Sequence, residues 1–300
     1  MAGFISDNWK IKVMGLRDQF STGFSLLKSS LRFVSHEKDL VVYPILNAVA
    51  YFMILLFMGG TVLGLFLGLE SLGIDLEETA PILVEFGVYG LLFVFYALSA
   101  TATTFFSSAL VYCSIERFRG EKAGIMDGLK QSWAKKNSII KFGLVSALVG
   151  TLLKIIEKKF KNAGKLLSFL GNTAWNIATF FIVPIIMYSG DESVRKMIKD
   201  STLTFKNLWG ESATARLGVE FVLLALLILI SIPFFIVWIL APSLTLIIAG
   251  IYGLILMISL AFFQVSVAVI KSSLYMYAMT GKMPQDFKGV NTDDLVEREE

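Results

Sequence analysis

Three hundred residues with 55% hydrophobic content, 17% charged residues and a mean hydropathy of +0.70 are too apolar for one or two ordinary soluble domains, and point to a chain built for a bilayer. A net charge of +3, with basic residues spread over several loops, argues against a nucleic-acid partner. One cysteine, Cys113, and one histidine, His36, leave no internal disulfide and no cluster to hold a metal, so no cofactor is expected.

The N-terminal stretch, Met1 to Lys38, carries charges throughout and lacks the apolar core and cleavage site of a signal peptide, so it is expected to persist in the mature protein. Within it Trp9, Val13, Leu16, Phe20, Phe24, Leu27, Leu31 and Val34 recur at spacings of three and four, with Lys10, Arg17, Asp18, Lys28 and Arg32 on the other side. A single apolar stripe of this kind suits a helix lying in the headgroup plane, and Gly15 and Gly23 are points where it can bend.

Residues 40–69 are apolar without a charge, longer than the roughly 20 residues needed to cross a ~30 Å hydrocarbon core, and form the first expected span. Asp39 can accept backbone hydrogen bonds at its start, and Pro44 is tolerated in its first turns. Gly60, Gly64 and Gly68 fall on one face at i, i+4 spacing, where the missing side chains allow a close helix approach, within the chain or between subunits. An acidic loop follows.

The second expected span, 86–113, carries Ser99, Thr103 and Ser107 on one face and Thr101, Thr104 and Ser108 nearly opposite. One polar stripe suggests a pore wall; two opposed stripes suggest a helix packed on both sides. After it, Ile125, Met126, Leu129 and Trp133 define a short amphipathic helix before a third span at 138–156, in which Gly143 with Ala147 and Ser146 with Gly150 repeat the small-residue theme. A fourth span follows at 166–188, then a third amphipathic stretch containing Met197, Ile198, Phe205 and Trp209. Spans five, 217–240, and six, 244–270, are joined by Ala241-Pro242-Ser243, short enough only for a tight hairpin.

The expected fold is thus all-α and polytopic: a cytoplasmic amphipathic segment at 1–39, a six-helix transmembrane domain at 40–283 and a mobile polar tail at 284–300. Leu27-Lys28-Ser29-Ser30, Leu129-Lys130-Gln131-Ser132 and Ile198-Lys199-Asp200-Ser201 each precede a pair of spans. They mark three repeats of one interfacial helix plus one hairpin. A fourth match, Ile270-Lys271-Ser272-Ser273, ends span six and breaks the positional rule. Lys and Arg in the flanking loops place both termini in the cytoplasm, against which Lys158, Lys159, Lys161 and Lys165 stand as an exception.

Ser25 to Pro44, with Glu37-Lys38-Asp39-Leu40 and Tyr43-Pro44, resembles the opening pattern of a family of prokaryotic six-span integral membrane proteins classed as a domain of unknown function. Cys113 to Trp133, with Arg117, Gly120 and Leu129, is similar to the membrane portion attached to some glycerophosphodiester phosphodiesterases. The resemblance implies a six-span membrane fold and brings no catalytic residues.

No nucleophile motif, phosphate loop or paired carboxylate signature is present, and no acidic or basic residue lies deep in a span where ion coupling would need it. The expected function is a non-enzymatic integral membrane protein of the cytoplasmic membrane that binds anionic phospholipid headgroups or a cytoplasmic protein partner and forms a homo-oligomer. Lys28, Lys130 and Lys199, with Trp9, Trp133 and Trp209 as interfacial anchors, would carry that contact. The rival expectation is a channel or passive transporter using the hydroxyl-rich second span.

Overall fold

The computed structural model describes residues 16–72, 81–190, 193–209, 231–232, 245–288 and 290, and every regular element among them is helical. In chain order these are α1 (Leu16–His36), a 3-10 turn (Lys38–Val41), α2 (Val42–Ser71), α3 (Pro81–Phe118), α4 (Ile125–Ala134) and α5 (Lys136–Lys159). There follow α6 (Lys161–Ala178), α7 (Ile182–Tyr188), α8 (Val194–Trp209), α9 (Thr245–Thr280) and a last 3-10 turn (Gln285–Phe287).

Among the described residues five stretches are long and apolar enough to cross a membrane: Lys38–Ser71, Val84–Phe118, Lys136–Lys159, Ala163–Tyr188 and Gly250–Thr280. By length and composition the chain is a multi-pass membrane protein. Expected span five, 217–240, lies outside the described residues except for 231–232, and Trp9 lies outside them too. The other expected spans all fall on helices, but their ends move: the helix expected over 244–270 continues to Thr280, where Gly281 takes a φ of 68° and turns the chain.

Expected span four is two helices rather than one, interrupted at Thr179–Phe181. Pro184 is the cause that the sequence supplies. A continuous helix would set its ring against the carbonyl of Phe180, and Pro184 has no N–H to donate there. The Thr179 hydroxyl donates to the Trp175 carbonyl at 2.8 Å and competes for the same backbone. The Phe181 N–H, at the break, donates to Ser201 Oγ of α8 at 3.0 Å.

The chain divides into two compact units, each assembled from separated stretches: Met1–Val41, Cys113–Gly124 and Thr202–Glu300 in one, Val42–Tyr112 and Ile125–Ser201 in the other. In the first, α1 packs along α9 and the last 3-10 turn. Its buried face is Leu26, Leu27, Ser30, Phe33 and Val34, whereas Phe24 and Leu31, expected on the same stripe, are 57% and 42% exposed. At 3.6 residues per turn Phe24 and Leu31 fall beside the protein-facing sector, not within it, which leaves them exposed.

The segment from 284, expected to be a mobile tail, begins instead as packed structure. Phe287 is fully buried, its ring 5.8 Å from that of Phe118, which in turn lies 4.8 Å from Phe33. An aromatic side chain among polar residues supplied the burial that charge counting overlooks. Residues 291–300 lie outside the described residues.

The second unit is built on close approach of α3 to α5. A Cβ at Gly143 would stand 2.1 Å from Thr101 Oγ1, and one at Gly150 would stand 3.2 Å from the Tyr96 ring. Helices α5 and α6 are joined through Phe160 alone, and a Cβ at Gly164 would meet the Ile156 and Glu157 carbonyl oxygens at 2.6 and 2.7 Å. Phe142 and Trp175 stack across this hairpin with centroids 6.2 Å apart.

Candidate functional site

The three marked serines are all fully buried, at 0% exposure for Ser30, Ser132 and Ser201, while Lys28, Lys130 and Lys199 two residues earlier are exposed. Helical geometry explains the pairing, since positions two apart lie on nearly opposite sides. Ser30 Oγ donates to the Ser266 carbonyl of α9 at 2.9 Å, and Ser201 Oγ accepts from Phe181 N–H in the broken span. Ser132 Oγ has no hydrogen-bond partner among the described residues. The small hydroxyl side chain therefore seats the surface helix, and the lysine faces away from the seat.

Of the aromatic anchors, Trp133 is 62% exposed, with Lys136 Nζ 4.7 Å from its ring centroid and the Phe105 ring edge-on at 6.5 Å. The face of α4 that is buried is Gly128 and Ser132 rather than the Met126 and Trp133 side, because α4 is seated by its small residues and leaves its large ones outward. Trp209 is the last residue of α8.

Lys28 opens onto a groove of 420 Å³ lined by Ser25, Lys28, Ser29 and Arg32 of α1 and by Gln285, Asp286 and Lys288 beyond α9. Ser25, Lys28, Ser29 and Arg32 follow at helical spacings of one, three and four, so one polar edge of α1 forms a wall. Gly281 returns the chain after α9, and the 3-10 turn supplies the facing wall. None of Lys28, Arg32 and Lys288 forms an ion pair among the described residues. Lys28 was marked by the repeat; Lys288 was not, because it lies in a polar stretch whose return to α1 depends on buried Phe287.

In the same unit the clustered charges beside the first span are used structurally. Arg117 donates to both Asp39 carboxylate oxygens at 2.8 and 2.6 Å, to Glu37 Oε2 at 2.5 Å, and to the Ala123 carbonyl at 3.1 and 2.9 Å. Two carboxylates and a carbonyl thus occupy the guanidinium, which leaves it no capacity for a ligand. The helix bearing it ends in a Schellman turn: Gly120 at φ 88° donates to the Arg117 carbonyl, and Glu121 N–H donates to the Glu116 carbonyl.

Among the described residues the glycines of α2 are exposed, and a Cβ at Gly60, Gly64 or Gly68 would meet none of their atoms within 4 Å. The proposed polar face of α3 is split: Ser99 is buried with its hydroxyl unpartnered, Thr103 is exposed and donates to Asn47 Oδ1 at 3.4 Å, and Ser107 is half-buried. In the same unit Tyr89, Ser108, Ser146 and Thr151 also bury hydroxyls without a partner among the described residues. Among the described residues no three His, Cys, Asp or Glu side chains gather where they could hold a metal ion.

The basic hairpin end between α5 and α6 is partly neutralised. Lys158 Nζ lies 3.4 Å from Glu85 Oε1 and 5.5 Å from the Tyr89 ring centroid, and Lys154 pairs with Glu157 at 2.9 Å.

No curated protein and no solved structure matches the chain. The pattern of one family matches residues 86–285, which is most of the chain and includes the Arg117 turn, α4 and the start of the last 3-10 turn: the chain belongs to the family of unknown function DUF6159.

Proposed function

We propose that this protein is a non-enzymatic scaffold of the cytoplasmic membrane that holds anionic phospholipid against three surface helices, α1, α4 and α8, with both termini in the cytoplasm and a homo-oligomeric assembly. One observation carries the reading: at each helix a fully buried serine seats the element, and the lysine two residues before it is exposed. A lysine near an anionic leaflet contributes about 1 kcal/mol, roughly fivefold in partitioning, without any shaped pocket. The pairing of Lys158 with Glu85 supports the orientation, because it reduces the positive charge that the α5–α6 turn would carry to the outer side.

The test is lipid preference in mixed micelles, measured by quenching of tryptophan by brominated phosphatidylglycerol against brominated phosphatidylcholine. Replacing Lys28, Lys130 and Lys199 together by Gln is expected to lower the preference by at least tenfold. An unchanged preference rejects the reading. The buried, unpartnered hydroxyls of Ser99, Ser108, Ser146 and Thr151 favour a second reading, a passive polar path along α3 and α5. Solute flux in liposomes that is lost in the Ser99→Ala, Ser108→Ala double variant would establish that path in place of the scaffold.

A further inference from the structure

We infer that the groove between α1 and the turn after α9 is a discrete site for the headgroup of an anionic glycerophospholipid whose phosphodiester bears hydroxyl groups. The inference rests on the proposed lipid-binding function and deepens it, from a general attraction at three lysines to one shaped site with a stated ligand.

Charge and donor chemistry lead to the phosphate. Lys28, Arg32 and Lys288 converge on the 420 Å³ groove from two segments far apart in sequence, and none is neutralised by an ion pair among the described residues. Arg32 offers a planar fork suited to two phosphate oxygens, the lysines act as point charges, and Ser25, Ser29 and Gln285 add neutral donors. The volume falls within the range of small-ligand sites, roughly 300–1,000 Å³.

Asp286 on the same lining narrows the class. A carboxylate beside a bound phosphate is repulsive unless the ligand brings a hydrogen-bond donor to it. The donor is either an ammonium or a hydroxyl. Three cations against one carboxylate leave the groove positive, which disfavours an ammonium and favours hydroxyls.

The surroundings lead to a lipid rather than a free phosphoester. The groove lies just beyond Thr280, where a helix long and apolar enough to cross a membrane ends. Phe24 and Leu31, four residues before and three after Lys28, are exposed on the neighbouring sector of α1. A lipid with its phosphate in the groove can lay its upper acyl carbons on these two side chains, whereas a soluble phosphoester would leave them in water.

The experiment uses the full chain in detergent micelles and counts retained lipid by native mass spectrometry. Phosphatidylglycerol is compared with phosphatidylmethanol, which has the same charge and no headgroup hydroxyl, and glycerophosphoglycerol and inorganic phosphate serve as soluble probes. The wild-type protein is expected to prefer phosphatidylglycerol to phosphatidylmethanol by about tenfold, a difference of about 1.4 kcal/mol. Asp286→Asn should abolish that preference. Arg32→Gln with Lys288→Gln should lower phosphatidylglycerol occupancy at least tenfold while leaving the thermal unfolding midpoint unchanged.

Neither residue belongs to the Lys28, Lys130, Lys199 set, so the two readings fail separately. If the double variant retains phosphatidylglycerol like wild type while the triple lysine variant loses it, the groove is overturned and the general lipid reading stands. If neither variant has an effect, both fall. Binding of glycerophosphoglycerol as tight as that of phosphatidylglycerol would overturn the lipid source, and equal binding of inorganic phosphate would overturn the hydroxyl specificity.

Discussion

At the scale of single residues, Arg117 does the most with the least surface. Its guanidinium joins Asp39 and Glu37, about eighty positions earlier, to the Ala123 carbonyl, with its side chain only 10% exposed. Both carboxylates keep substantial contact with solvent, so removing the cation costs less than a fully buried pair would. Arg117→Met is expected to destabilise the folded protein by about 1–3 kcal/mol. Arg117→Lys should recover little of it, since a point charge cannot reproduce the fork that meets both Asp39 oxygens. Thermal unfolding in detergent, followed by the burial of Cys113 against a thiol reagent, measures both. A lysine variant as stable as wild type would show that charge alone suffices.

Among the elements, the informative contrast lies between two sets of glycines. The sequence singles out Gly60, Gly64 and Gly68 in α2 and, more weakly, Gly143 and Gly150 in α5 for close helix approach; among the described residues a tight approach is seen in α5, where Gly143 faces Thr101 and Gly150 faces Tyr96. The same spacing of small residues occurs in both helices, and only a neighbour's position tells one use from the other. Gly143→Ala is expected to cost about 1–3 kcal/mol by overpacking, because Thr101 backbone nitrogen also stands 3.1 Å from the added carbon. Gly64→Ala should leave stability unchanged or raise it by up to about 1 kcal/mol through helix propensity. Unfolding of both variants in graded denaturing detergent separates them, and a loss at Gly64 that depends on protein concentration would identify a contact between copies.

For the whole molecule, the apolar runs made the helical membrane architecture legible, because a run without charge has few other destinations. What sequence could not supply were the pairings between distant stretches. At the interruption at Thr179–Phe181, Ser201 accepts from the Phe181 N–H across twenty residues, and nothing near residue 180 announces that partner. The groove joins Arg32 to Lys288, and its far wall depends on one buried phenylalanine in a stretch otherwise read as tail. Amphipathic periodicity identified α1 but not the division of its apolar residues between a buried face and an exposed one. That division has a consequence in time. Ser30 finds its carbonyl at Ser266, 236 residues later, so the first helix to leave the ribosome is among the last to be seated. At ordinary synthesis rates it waits on the order of 10 to 50 s. A chain cut after residue 244 should therefore show α1 open to protease in detergent and protected once vesicles are added, with the bilayer surface acting as a temporary host for a face whose permanent partner has yet to be made.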